Sequence, residues 1–167
     1  MDLPVGEFIE SGIVSKSGIV KEKLDALLET EFSGYIVLTI EGRGGIEEGA
    51  LLIQQNRIIG AIFDYLNFNR KVFGDTAVSH FFNAAAADFG NMDIIALSKQ
   101  QIELIIAFNE KIELSRPILQ KDLARINLDK YTPKLAEGFL GNDLLKNESR
   151  FDVFRKVGLA EFTRRME

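Results

Sequence analysis

The sequence predicts an α+β fold: a small antiparallel sheet of three to four strands flanked by helices, with a helical C-terminal tail. Three observations predict it. β-branched and aromatic runs between residues 35 and 65 are joined by connections of only a few residues. Connections that short force antiparallel neighbours, because parallel strands need a crossover of about a dozen residues or more. Apolar stripes at helical spacing flank these runs. After Arg116-Pro117 the pattern changes to short helical signals, each with its own start and stop.

Residues 1–19 read as extended or irregular, with Gly6, Gly12 and Gly18 spread through them. A helix is predicted over 20–32, where Val20, Leu24, Leu27, Leu28 and Phe32 share one stripe. Ser33-Gly34 breaks it. Three strands follow, over 35–40, 46–54 and 58–65. The tract Gly42-Arg43-Gly44-Gly45 suits the first tight turn and Gln55-Asn56-Arg57 the second. Gly60-Ala61 leaves almost no side chain inside the third strand, which marks a bulge or the close approach of another backbone.

A helix over 75–88 carries Val78, Phe81, Phe82, Ala85 and Phe89 as its core stripe, ended by Gly90-Asn91. Met92–Leu97 reads as a fourth strand. Ser98 with Gln101 forms a capping box. It opens a helix carrying Ile102, Ile105, Ile106 and Ile112, to about Leu114. Arg116-Pro117 divides the chain into an α+β interaction domain or body, residues 1–114, and a basic helical tail or docking arm, residues 115–167. In the tail, short helices are predicted from Pro117 to Ile126, from Thr132-Pro133 to Gly138, and from Ser149 to Gly158.

Composition excludes several function classes. The 167 residues contain no cysteine and one histidine, so thiolate metal sites, iron–sulfur clusters and cysteine nucleophiles are out, and neither a metal nor any other cofactor is expected. No apolar run approaches the roughly 20 residues of a membrane span. The N-terminus lacks the basic and apolar regions of a signal peptide, so a cytoplasmic, membrane-free protein is expected. A net charge of −5 argues against nucleic-acid binding. The charge is uneven: residues 1–114 hold 9 Lys+Arg against 17 Asp+Glu, and residues 115–167 hold 11 against 8. Two readings follow. The basic tail packs on the acidic body, or each half meets a different partner.

The candidate chemistry is sparse. The glycine tract is followed by Ile46-Glu47-Glu48, not by the Lys-Ser or Lys-Thr of a phosphate loop. Glu47 and Glu48 are adjacent in a strand and so point to opposite faces. One is expected to be solvated, the other to bind a backbone amide or Arg43. His80 falls opposite the Val78–Phe82–Phe89 direction and is expected in solvent. An enzyme would have to draw on Asp64, Asp75, Asp93 and Asn83, which include no nucleophile or metal set. The outer face of that helix, His80, Asn83, Ala84 and Ala87, is made largely of small residues, which admit close approach by the tail, a second copy or a partner. Phe63, Tyr65, Phe68 and Phe73 are mainly core, with Phe68 the candidate exposed anchor. Phe151, Phe154 and Arg155 are the corresponding candidates in the tail.

Several short motifs carry a family resemblance. These are Phe32–Leu38, Gly45–Leu52, Ile58-Ile59-Gly60-Ala61, Gly74-Asp75-Thr76-Ala77, Phe82-Asn83-Ala84, Gln101–Leu104 and Phe108–Lys111. Over about residues 1–114 the chain resembles an archaeal family, domain-of-unknown-function family 2226. More distantly it is similar to the PATAN-type domains of signalling proteins, although Gly60 and Ala61 are adjacent here where that plan spaces its small residues. The resemblance supplies no catalytic residue. It implies a non-catalytic adaptor-like interaction domain in an archaeal regulatory or signalling system, bound to a protein partner or to itself. A structural homodimer, or a small-molecule or enzymatic site without a recognisable motif, are the alternatives.

Overall fold

The computed structural model describes residues 3–15, 18–126 and 130–144. In chain order its elements are β1 (Glu7–Ser15), α1 (Ile19–Glu29), β2 (Gly34–Gly42), β3 (Gly45–Gln54), β4 (Arg57–Tyr65) and β5 (Arg70–Phe73). Then come α2 (Gly74–Ala85), β6 (Gly90–Ala96), α3 (Lys99–Phe108), β7 (Glu113–Leu119), α4 (Gln120–Leu123) and α5 (Lys134–Leu140). The seven strands form one antiparallel sheet in the order β1-β6-β2-β3-β4-β5, and β7 pairs with β4 beside β5. The α+β class holds, but the sheet is larger than the three to four strands expected.

The missing strands were hidden by their composition. β1 mixes Glu7, Glu10 and Gly12 with apolar residues, and two register shifts interrupt its pairing with β6. β7 contains Pro117, which cannot donate to a ladder and is tolerated at an edge. The segment boundary read at Arg116-Pro117 thus falls within a strand, and the helix expected over 117–126 shrinks to α4. α3 ends at Phe108 instead of Leu114. Residues 110–112 form a 3-10 turn that carries Ile112 beneath the sheet.

The sheet has two apolar faces. One carries Ile36, Leu38, Leu51, Ile53, Phe63 and Tyr65, and is covered by α1 and α2. The other carries Tyr35, Ala50, Leu52, Ile62 and Ile95, and meets Ile102 of α3 together with Ile112. Period-two alternation in the strands builds both faces at once. Burying each of the larger side chains contributes roughly 1.5–3 kcal/mol.

The small residues of β4 have the expected cause. Leu52 pairs with Gly60 and Ile53 with Ile58, so Ile59 is an extra residue in the strand and forms a bulge. A Cβ on Gly60 would lie 2.9 Å from Ile112 Cγ2 and 3.2 Å from the Ile112 carbonyl oxygen. The turn before β4 holds Gln55 and Asn56 at φ 51 and 61, the left-handed pair a two-residue hairpin requires. At α3, the Ser98–Gln101 capping box is present in full.

Candidate functional site

α2 lies across β2, β3 and β4 and carries the candidate face. It ends at Ala85, three residues before the expected end, so Phe89 sits beyond the helix and is 74% exposed. Phe89 therefore misdirects the estimate of which side is inward. His80, expected in solvent, is 4% exposed. Ala84 is also buried, while Asn83 and Ala87 are half-buried.

What covers this face is the chain's own segment from Tyr131 to Leu144, called the arm below. The side-chain amide of Asn83 clasps its backbone at both groups. Asn83 Nδ2 donates to the Thr132 carbonyl at 3.0 Å, and the Thr132 amide donates to Asn83 Oδ1 at 2.8 Å. The Tyr131 amide donates to the Ala86 carbonyl at 3.2 Å. Ala136 and Leu140 of α5 join the core under α1 and α2. α5 starts after Pro133 and runs past Gly138, where it was expected to stop, to Gly141 at φ 46. Phe139 stacks on Tyr65 at a centroid distance of 5.7 Å, and its ring edge meets His80 at the same distance.

Beneath the arm lie two hydrogen-bonded pairs. Tyr65 Oη and His80 Nδ1 are 2.6 Å apart. Tyr131 donates to Glu47 Oε1 at 3.1 Å, and the Gly44 amide donates to the same oxygen at 2.8 Å. The Arg43 amide donates to Tyr131 Oη at 2.7 Å. Glu47 is thus the member of the acidic pair that binds a backbone amide, as one of the two was expected to. The glycine tract makes room for it: a Cβ on Gly44 would overlap the Tyr65 ring.

Burial sets the protonation of this cluster. Desolvation raises the Glu47 carboxyl, partly offset by its bonds from Gly44 and Tyr131. It pushes the Tyr131 phenol up to about 12 and the Tyr65 phenol still higher, with the Glu47 charge adding to both. It lowers the His80 imidazole, so the ring is held neutral. With its proton on Nε2, the Tyr65 phenol donates and Nδ1 accepts. Glu47 and Tyr65 are each 1% exposed, so no substrate reaches these groups while the arm is seated.

The rim ion pairs run opposite to the charge asymmetry of the sequence. The body supplies the cations and the arm the acids: Arg43 Nε is 3.2 Å from Glu137 and Arg70 Nη1 is 3.3 Å from Asp143. Arg70 also lies 5.4 Å from the Phe139 ring centroid. These are contacts of the described arm alone; Arg150, Arg155, Lys156, Arg164 and Arg165, which carry much of the tail's positive charge, lie outside the described residues.

The other candidate residues do not converge. Asp64 is buried on the opposite sheet face, 3.7 Å from Lys71. Asp75 accepts from the Ser115 amide. Asp93 accepts from the Ser11 hydroxyl and the Gly12 amide of β1. Phe68, the expected exposed anchor, is partly buried against the first core. Phe151, Phe154 and Arg155 lie outside the described residues. Among the described residues no three His, Asp or Glu gather as a metal set, and no helix is long and apolar enough to cross a membrane.

Sequence reasoning missed Tyr131, the seat of Phe139 on Tyr65 and His80, and the depth of Glu47 and His80. The available signal was the small-residue outer face of α2 next to a tail whose helices are too short to stand alone.

No curated protein and no solved structure matches the chain. A family model does match, over residues 1–109, from before β1 to just past the end of α3. On that match, the chain belongs to DUF2226, described as an uncharacterized protein conserved in archaea.

Proposed function

We propose that this chain is a non-catalytic interaction domain, an adaptor that binds a protein segment on the outer face of α2. The observation that carries this reading is the clasp of Asn83 on the Thr132 backbone. A side chain that reads main-chain N–H and C=O recognises a peptide, whatever the peptide's sequence. The aromatic seat for Phe139 adds side-chain selectivity. The arm occupies the site, and a partner segment with a comparable aromatic residue takes its place. The similarity to PATAN-type signalling domains supports the adaptor reading.

A labelled peptide of residues 130–144 tests it. The Phe139→Ala chain, whose own arm is weakened, is expected to bind that peptide more tightly than the parent does. Protein captured from archaeal lysate is expected to increase in parallel. A folded Phe139→Ala chain with no affinity for the peptide would show that the arm is a fixed part of the core, and the reading would fail.

A further inference from the structure

The second sheet face ends in a different surface. Ile102 of α3 is buried against the sheet, with Ile105 and Ile106 partly buried beside it. On the side away from the sheet Leu104 is 53% exposed and Phe108 is 87% exposed. A helix that is apolar on both sides is one that buries both sides.

Phe108 forms one wall of a cleft of about 300 Å³, whose other walls are Pro4, Gln101, Leu104, Ile105, Asn109 and Ile112. A protruding ring on the wall of an unfilled apolar cleft is a self-complementary patch. A two-fold axis lets each copy fill the other's cleft, and one patch then serves both sides of the interface.

We propose that α3 packs antiparallel against α3 of a second copy, with Phe108 of each chain seated in the cleft of the other. The charges agree with that direction. Lys99 begins the helix, while Glu110, Lys111 and Glu113 follow its end and leave one net negative charge there. Antiparallel packing brings Lys99 to the acidic end of its partner and sets opposite helix-dipole ends side by side. Glu103, paired with Lys99 at 3.7 Å, keeps the rim polar. The free edge of β1 offers no rival route to a dimer, because its two register shifts and its acids Glu7 and Glu10 blunt it for strand pairing. This face is separate from the one under the arm, so the inference does not depend on the adaptor reading.

Sedimentation of the full chain across a concentration series tests it. A reversible dimer is expected, and Phe108→Glu is expected to weaken it at least about 30-fold, the effect of losing a central anchor. Leu104→Lys is expected to do the same, and both variants are expected to melt like the parent when dilute, since the residues are exposed. A chain that stays monomeric at millimolar concentration overturns the inference, whether another protein or the chain's own residues 145–167 cover the patch instead. So does a dimer that Phe108→Glu leaves intact.

Discussion

The faces beyond α2 and α3 differ in how they are finished. Beyond α2, an arm is fixed by main-chain hydrogen bonds, one aromatic stack and peripheral ion pairs. Beyond α3, an apolar helix surface with a cleft and a projecting ring is left open. The first surface has polar fixings that specify a chain segment. The second has shape and no such fixings, which suits a partner that brings its own matching shape. The difference teaches that apolar area alone does not mark a peptide site; the pairing of N–H and C=O does.

Four measurements sharpen or break that comparison. The largest effect is expected at Gly60, beneath the α3 side. Gly60→Val forces atoms into Ile112 and Ile106, and denaturant titration should show a loss of about 2–3 kcal/mol. A variant as stable as the parent would mean the inner side of α3 is as loose as its outer side.

Next is the arm. Phe139→Ala removes the stack on Tyr65 and His80, and should cost about 2 kcal/mol, less than a fully buried Phe loses. A cost below about 0.5 kcal/mol would make the arm a surface ornament.

The third measurement is pH dependence. The His80 imidazole is lowered from 6.5 by burial, so as pH falls through that value the unfolded chain takes up a proton first and stability declines. Glu47 acts in the opposite sense. Its carboxyl is raised from 4.5, so the folded chain holds the proton longer, and stability falls as pH rises through the window above 4.5. Urea melts between pH 7.5 and 4.5 check both signs. His80→Gln should flatten the decline on acidification, and Glu47→Gln should steepen it. Identical profiles for parent and variants would place the titration elsewhere.

The smallest effect is expected from Glu137→Ala. Its ion pair with Arg43 is 46% exposed on both sides, and pairs of that kind are worth about 0–1 kcal/mol. A melt shifted as far as that of Phe139→Ala would show that charge, not ring stacking, seats the arm.

The legible parts of the fold were those where local and tertiary signals agree. β2, β3 and β4 follow from β-branched runs and left-handed turn residues, and the start of α3 from Ser98 and Gln101. β1 and β7 were illegible because edge strands keep polar residues and a proline that an interior strand would reject. His80 was misplaced because the stripe was drawn through Phe89, which the helix never reaches. The α2 face itself was legible as a place of close approach, since Ala84 and Ala87 leave room there. The groups that make it a site were not, because Glu47, Tyr65 and Tyr131 lie far apart in sequence and meet only after β3, β4 and the arm are assembled.

The arm's tether has a consequence for any competitor. A segment joined to the domain by a short stretch of chain meets its face at an effective concentration on the order of millimolar. An outside segment with the same contacts, present at about 1 µM, would therefore occupy roughly one face in a thousand. A partner that succeeds must either bind much more tightly than the arm or arrive in many linked copies. On the adaptor reading proposed above, weak, single encounters are filtered out and the domain responds to avidity.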